Sequence, residues 1–376
     1  MICIKKIFIL FYYSSTYPNG WVNENVYDAV NQVTLKYQKD PTNSNNKSLK
    51  FSYSYDAQGN VTSENKYSNS IGQMNESYNY SYDALNRLTS KLNTQNNIIE
   101  AQYSYDSLGN ITKEVNGNNK GSEYWHNILN QITSKKIDNK DVYNYSYDFR
   151  GNLTGVDFQK NKNQRYAVES YVFDSTNRMT LGTNEKGETS AYTYNGLGHL
   201  IKNIWTVDKN AYGYTNITPQ AVLATTSGTL TTDPVDTANL NLYNEKIVLS
   251  PSSSMNVITK NFVIDYTSPL KNVLTETETN GLTYRYAYGL DKLSVTISGI
   301  TTGVGNLLQN GKVKLYYHHD RQRSTDYLTD NVTGKVTSYI SYDEWGVPRK
   351  KAVLKMGVRE IDLVTEYTGH PYGSGS

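Results

Sequence analysis

A turn grammar repeated eight times limits what this chain can fold into. In its fullest copy, Tyr145-Ser146-Tyr147-Asp148-Phe149-Arg150-Gly151-Asn152-Leu153-Thr154, a strand alternates aromatic and small polar residues, turns, and re-enters on Leu and Thr. Asp at the first turn position accepts a hydrogen bond from the backbone two residues on. Gly at the fourth supplies the positive φ that a type I turn followed by a bulge requires. Tyr145 and Tyr147 then share one sheet face, because side chains alternate with period two.

The first turn position recurs at Asp28, Asp56, Asp83, Asp106, Asn127, Asp148, Asp174 and Asn195, at intervals of 21 to 28 residues. Three places later stand Asn31, Gly59, Asn86, Gly109, Asn130, Gly151, Asn177 and Gly198, the two residue types that tolerate left-handed backbone most readily. An apolar residue follows two places on, then Thr in every copy but the last. The predicted aromatic face comprises Tyr53, Tyr55, Tyr80, Tyr82, Tyr103, Tyr105, Tyr145, Tyr147, Tyr171, Phe173, Tyr192 and Tyr194. A period in this range means a repeat architecture in which each unit packs only on its neighbours.

The Tyr-x-Tyr-Asp-x-x-Gly-Asn-Leu-Thr grammar resembles the YD repeats of the RHS family, shared by bacterial wall-associated proteins, polymorphic toxins, insecticidal toxin-complex shells and animal teneurins. It covers about residues 20 to 205. A second stretch, Leu315 to Arg321, then Ser324 to Asp330, then Tyr339 to Gly346, looks like the start of the RHS-associated core. The resemblance implies an all-β fold, a spiralling antiparallel sheet of stacked hairpins forming an open arc of a shell. Complete relatives enclose a C-terminal toxin polypeptide for delivery, and by that resemblance the chain is a non-enzymatic shell fragment. The alternative is an extracellular or cell-wall-associated module that binds glycan or a partner cell through its tyrosines.

The expected organisation is a non-repeat segment at 1–16, repeats at 17–205, an irregular insertion at 206–280, degenerate repeats with a partial core at 281–372, and a Gly-Ser tail at 373–376. Met1 to Ser15 reads as a spurious start or a weak signal peptide. The tail reads as a linker or scar, with the core's closing segment and the toxin expected to be absent. The first repeat, with nothing before it to stack on, is expected to expose an edge that favours self-association. The family has Leu-Gly after the Asp-Arg of its core motif, where this chain has Gln322-Arg323, which places that turn in doubt.

Composition narrows the chemistry. With 35 tyrosines and only 37% apolar residues, the interior must be built largely from phenol rings whose hydroxyls need partners. A net charge of +2 gives no argument for nucleic acid or anionic membrane, and no stretch is apolar enough for a membrane span. The single Cys3 excludes an internal disulfide. His318-His319-Asp320 is the tempting cluster, but adjacent strand residues face opposite ways, so structural contacts are expected there. His126 stands at a Tyr position and is expected to pack as a ring. No catalytic residue, metal site or cofactor is expected, and a secreted or cell-surface bacterial location follows from the resemblance.

Overall fold

Each predicted turn closes on its own backbone. In the computed structural model, Asp148 N donates to Asn152 O (2.9 Å) and Gly151 N to Asp148 O (3.0 Å). Asp148 Oδ1 accepts from the amides of Arg150 and Asn152. The same backbone pair is made at all eight positions. The residue in the fourth place has positive φ each time, from 60 to 67° where it is Asn and from 84 to 90° where it is Gly. One residue is then left over in the second strand. Tyr147 pairs with Leu153 and Ser146 with Gly155, so Thr154 is bulged out of register.

The structure describes residues 12–39, 41, 47–68, 75–118, 120–161, 164–208, 221–226, 255–267, 271–279, 281–289, 291–300, 307–356, 359–361, 366–367 and 370–371. Among them the fold is all-β, with no α-helix. The chain divides into two compact units, Met1–His126 with Lys135–Lys140, and Asn127–Ser134 with Asp141–Ser376. No described helix is long and apolar enough to cross a membrane.

In the first unit, nine antiparallel pairings join neighbours in sequence, from Tyr12–Thr16 against Val22–Tyr27 to Ile111–Val115 against Gly121–His126. Tyr12–Thr16 corrects one expectation: the leading strand of the first repeat already has a partner, and its hairpin turns at Gly20 with φ 88°. The sheet face is aromatic and buried at Phe51, Tyr53, Tyr78 and Tyr103, while Ser54, Ser81 and Ser104 on the other face are exposed.

In the second unit the same pairing continues from Asp141–Tyr147 through Leu200–Asp208. Pairing between strands adjacent in sequence breaks after Leu200–Asp208. Leu200–Asp208 pairs next with Met255–Ile264, whereas Ala221–Thr226 pairs far along the chain with Pro348–Met356. Most of the predicted irregular stretch from 206 to 254 lies outside the described residues.

Pairing in sequence then resumes to Pro348–Met356, and burial deepens. Leu282, Tyr284, Val295, Ile297, Val313, Leu315, Tyr317, Leu328 and Ile340 form an aliphatic and aromatic core. All six residues of Thr325–Asp330 are buried, so both faces of that strand are covered. The doubtful turn forms there after all: Arg323 takes the left-handed position with φ 69°, and Asp320 Oδ1 accepts from the amides of Gln322 and Ser324. An Asp343 turn with Gly346 at φ 89° follows the same pattern.

Candidate functional site

Three lateral contacts join one repeat to the next, and they define the surface that the chain presents. The first is made by the tyrosine that precedes each turn. Its hydroxyl donates to the backbone carbonyl of the apolar residue after the preceding turn: Tyr55 to Val33 (2.6 Å), Tyr82 to Val61 (2.9 Å), Tyr105 to Leu88 (2.6 Å), Tyr147 to Ile132 (2.8 Å) and Tyr194 to Met179 (2.8 Å). Tyr288 makes the same bond to Val273 (2.8 Å), so the pattern recurs with its acceptor within the stretch predicted to be irregular. Bulging at the Thr position interrupts the ladder, and the phenol supplies a donor to the carbonyl beside the bulge. His319 does this with an imidazole, its Nε2 meeting Lys292 O at 2.8 Å. Phe173 has no hydroxyl to give.

The second contact is made one ring earlier on the same face. Tyr80 donates to Glu64 (3.2 Å), Tyr124 to Glu114 (3.3 Å) and Tyr286 to Glu276 (3.2 Å), each glutamate standing on the strand next to that ring. Lysines complete this face. Lys91 is buried with its ammonium 3.8 Å from the Tyr78 ring centroid and 3.8 Å from Glu100, and Lys66 lies 5.2 Å over Phe51. The face is thus aromatic and hydrogen-bonded, not greasy.

Burial controls its titration. Tyr145 is pushed up to about 12, chiefly by burial and then by the charge of Glu169. Burial, followed by its hydrogen bond to Glu169, raises Tyr171 as well. Tyr105, Tyr147 and Tyr194 are raised by burial.

The third contact links turn to turn through the residue after the left-handed position. Arg87 donates to Asp83 Oδ2 (2.7 Å) and reaches across to Asp106 O (3.0 Å), its guanidinium 4.6 Å over the Tyr105 ring. Arg178 repeats this with Asp174 (2.8 Å), Asn195 O (3.3 Å) and the Tyr194 ring (5.1 Å). At two of the turns whose left-handed residue is Gly, a short amide takes over. Asn60 bonds Asp56 Oδ2 and Asn86 Oδ1, and Asn152 bonds Asp148 Oδ2 and Asn177 Oδ1. These bonds hold the turn carboxyls below the usual range: for Asp56, Asp106 and Asp148 the neighbouring Asn amide is the largest cause, for Asp83 the Arg87 amide N–H, and for Asp174 the Thr176 hydroxyl.

Sequence reasoning passed over the residue that makes this third contact, although its signal was present. Asn-Gln or Asn-Arg (Asn31-Gln32, Asn86-Arg87, Asn130-Gln131, Asn177-Arg178) alternates strictly with Gly-Asn or Gly-His (Gly59-Asn60, Gly109-Asn110, Gly151-Asn152, Gly198-His199). At two of the four glycines, both preceded by a glutamine turn, the long side chain lies close against the backbone. A Cβ added at Gly59 would stand 2.9 Å from Gln32 Nε2, and one at Gly151 3.3 Å from Gln131 Nε2. The recurrent Thr was also unexplained. At Thr34, Thr89, Thr154 and Thr180 its hydroxyl donates to the carbonyl of the residue two before the turn.

The predicted aromatic residues are not open platforms. Tyr53 and Tyr103 are buried and the other ten are partly buried. What the turns expose is apolar instead: Phe149 is 96% exposed and Ile128 97%, with Val30, Leu85, Leu108 and Leu197 also at turn tips. His318 is fully buried, stacked 4.4 Å from Tyr327 with Nε2 2.9 Å from Thr329 Oγ1, and His319 stacks on Tyr317. The two imidazoles therefore serve separate contacts. Among the described residues no group of three or more His, Cys, Asp or Glu is placed to hold a metal ion. The His370 side chain lies outside the described set.

No protein-family model matches the chain, and no curated protein matches it. Among solved structures it is similar to the crystal structures of TcdB2-TccC3-Cdc42 (10% identity, TM-score 0.39), TcdB2-TccC3 (11%, 0.39) and TcdB2-TccC3 without hypervariable C-terminal region (11%, 0.40). Each alignment covers 90% of this chain and 18% of the other, so the chain spans about a fifth of the length of those chains.

Proposed function

We propose that the chain is a length of RHS-type shell wall, secreted or displayed at a bacterial surface. It carries out no reaction and, with the rest of its shell, encloses a polypeptide toxin. The observation that supports this reading is the use of the ring hydroxyls. A glycan-binding platform needs phenol faces and hydroxyls turned to solvent, whereas here the hydroxyl before most turns is held by the preceding repeat's carbonyl. Hydrogen bonds that tie one repeat to the next within each unit suit a wall. The glycan- or cell-binding module is the second reading, favoured by the number of tyrosines on one face.

Two measurements separate these readings. A passenger polypeptide fused after residue 376 in the context of the full shell should resist protease when the wall is intact. Wild-type binding to polysaccharide arrays that is lost in the Tyr145→Ala/Tyr147→Ala double variant would instead establish the module and sink the wall reading. The exposed apolar tips at Ile128 and Phe149 are where this proposal expects self-association. A clean monomer by light scattering at high micromolar concentration counts against that part.

A further inference from the structure

The turn-to-turn contact has a recurring receptor for a guanidinium. It consists of the outer carboxylate oxygen of one turn, the first carbonyl of the next turn and the ring that precedes that carbonyl. Arg87 fills it between the turns at Asp83 and Asp106, and Arg178 fills it between those at Asp174 and Asn195. Arg150 spans the same two oxygens from a different position, 3.3 Å from Asp148 Oδ2 and 2.9 Å from Asp174 O.

Between the first two repeat turns the receptor is present and the arginine is not. Asp28 Oδ1 is used as in every other copy, accepting from Val30 N (3.0 Å) and Gln32 N (2.8 Å). Among the described residues nothing donates to Asp28 Oδ2. The residue in the arginine position is Gln32, whose amide lies over Gly59 and bonds nothing described. A groove of about 670 Å³ opens here, lined by Asp28, Gln32, Tyr55 and Asp56 among others. Asp56 O faces the same task as Asp106 O, each accepting the amide of its own turn glycine at 3.2 Å.

We propose that this groove is a binding site for a guanidinium, supplied as an arginine side chain of a polypeptide partner. Its planar fork would bridge Asp28 Oδ2 and Asp56 O while its face lies on Tyr55, as Arg87 does two turns further on. A lysine ammonium is a compact point charge and reproduces only the carboxylate contact. The site is half open to solvent, so binding of an isolated arginine is weak, on the order of millimolar. The inference stands apart from the wall reading, since it needs only the two turns and the groove between them.

The test is ligand-observed NMR on the full chain with acetyl-Ala-Arg-Ala-amide, its citrulline and lysine counterparts, and free arginine. Broadening of the arginine side-chain resonances is expected, with clearly less for lysine and none for citrulline. Equal broadening by free arginine assigns the binding to the guanidinium alone, and stronger broadening by the peptide adds a contribution from its backbone. Asp28→Asn should abolish the effect. So should Gln32→Arg, which lets the chain fill its own groove and should also raise its resistance to urea. No broadening in the wild type, equal broadening by citrulline, or unchanged binding in Gln32→Arg would each overturn the proposal. The Gln32→Arg result stands even if Asp28→Asn were to fold poorly.

Discussion

The Tyr82 hydroxyl sits 2.9 Å from the backbone carbonyl of Val61, 21 residues earlier, and joins two hairpins through an atom that no side-chain pattern displays. Replacing this donor leaves a partly buried carbonyl without it. Tyr82→Phe should therefore cost about 0.5–1.5 kcal/mol, read as a lower urea midpoint at unchanged slope. Phe173→Tyr, which supplies the hydroxyl that its junction lacks, should shift the midpoint the other way. No change in either variant would mean that the bond contributes nothing net.

Gly59 and Gly109 share a φ of +90°, but only Gly59 has a side chain, Gln32, lying against it. Alanine at either position incurs backbone strain of about 1–2 kcal/mol. Gly59→Ala should cost more than Gly109→Ala, and removing Gln32 as well should erase the difference. A double-mutant cycle on urea unfolding checks this, and full additivity would rule out the contact.

Arg323 holds a left-handed position, φ 69°, with its guanidinium 3.3 Å from Asp291 across an exposed ion pair. Glycine there relieves the steric cost of positive φ, while the surface pair contributes only a few tenths of a kcal/mol. Arg323→Gly should stabilise the chain by about 0.5–1 kcal/mol in urea unfolding. Destabilisation would show that the ion pair outweighs the strain.

The turn carboxyls at Asp56, Asp83, Asp106, Asp148 and Asp174 are all held below their ordinary value. A depressed carboxyl contributes stability that is fully present above its unfolded value of about 3.9 and is lost as pH falls through the folded value. Thermal stability should therefore be level on this account at neutral pH and fall below about pH 4. For Asp56 the chief cause is the Asn60 amide, so Asn60→Ala should move the Asp56 carboxyl carbon titration upward in NMR. An unmoved titration would show that the backbone amides alone suffice.

At the alkaline end the sign reverses. Tyr145, raised to about 12, is neutral when folded at a pH where the unfolded phenol ionises. Its contribution is complete below about pH 10 and is lost as pH rises towards 12. Spectrophotometric titration should show late-ionising tyrosines in the folded chain, with fewer of them in Tyr145→Phe. An unchanged late phase would assign it to other rings.

The sequence by itself determined each hairpin: eight turns, their left-handed residues, the bulge that follows and the face that carries the rings. These features are local, since an Asp carboxylate meets amides two and four residues on and alternation sets the face whatever lies beside the strand. The sequence could not show that Ala221–Thr226 returns to Pro348–Met356, or that Arg323 would hold a turn usually left to glycine. Tertiary structure alone decided what Tyr55, Tyr147 and Arg87 bond to. Their acceptors are backbone carbonyls of other repeats, identical in every residue type, and which one comes within reach is set by strand register and the position of the bulge. For the same reason His318 and His319, adjacent in the chain, end on Thr329 and Lys292.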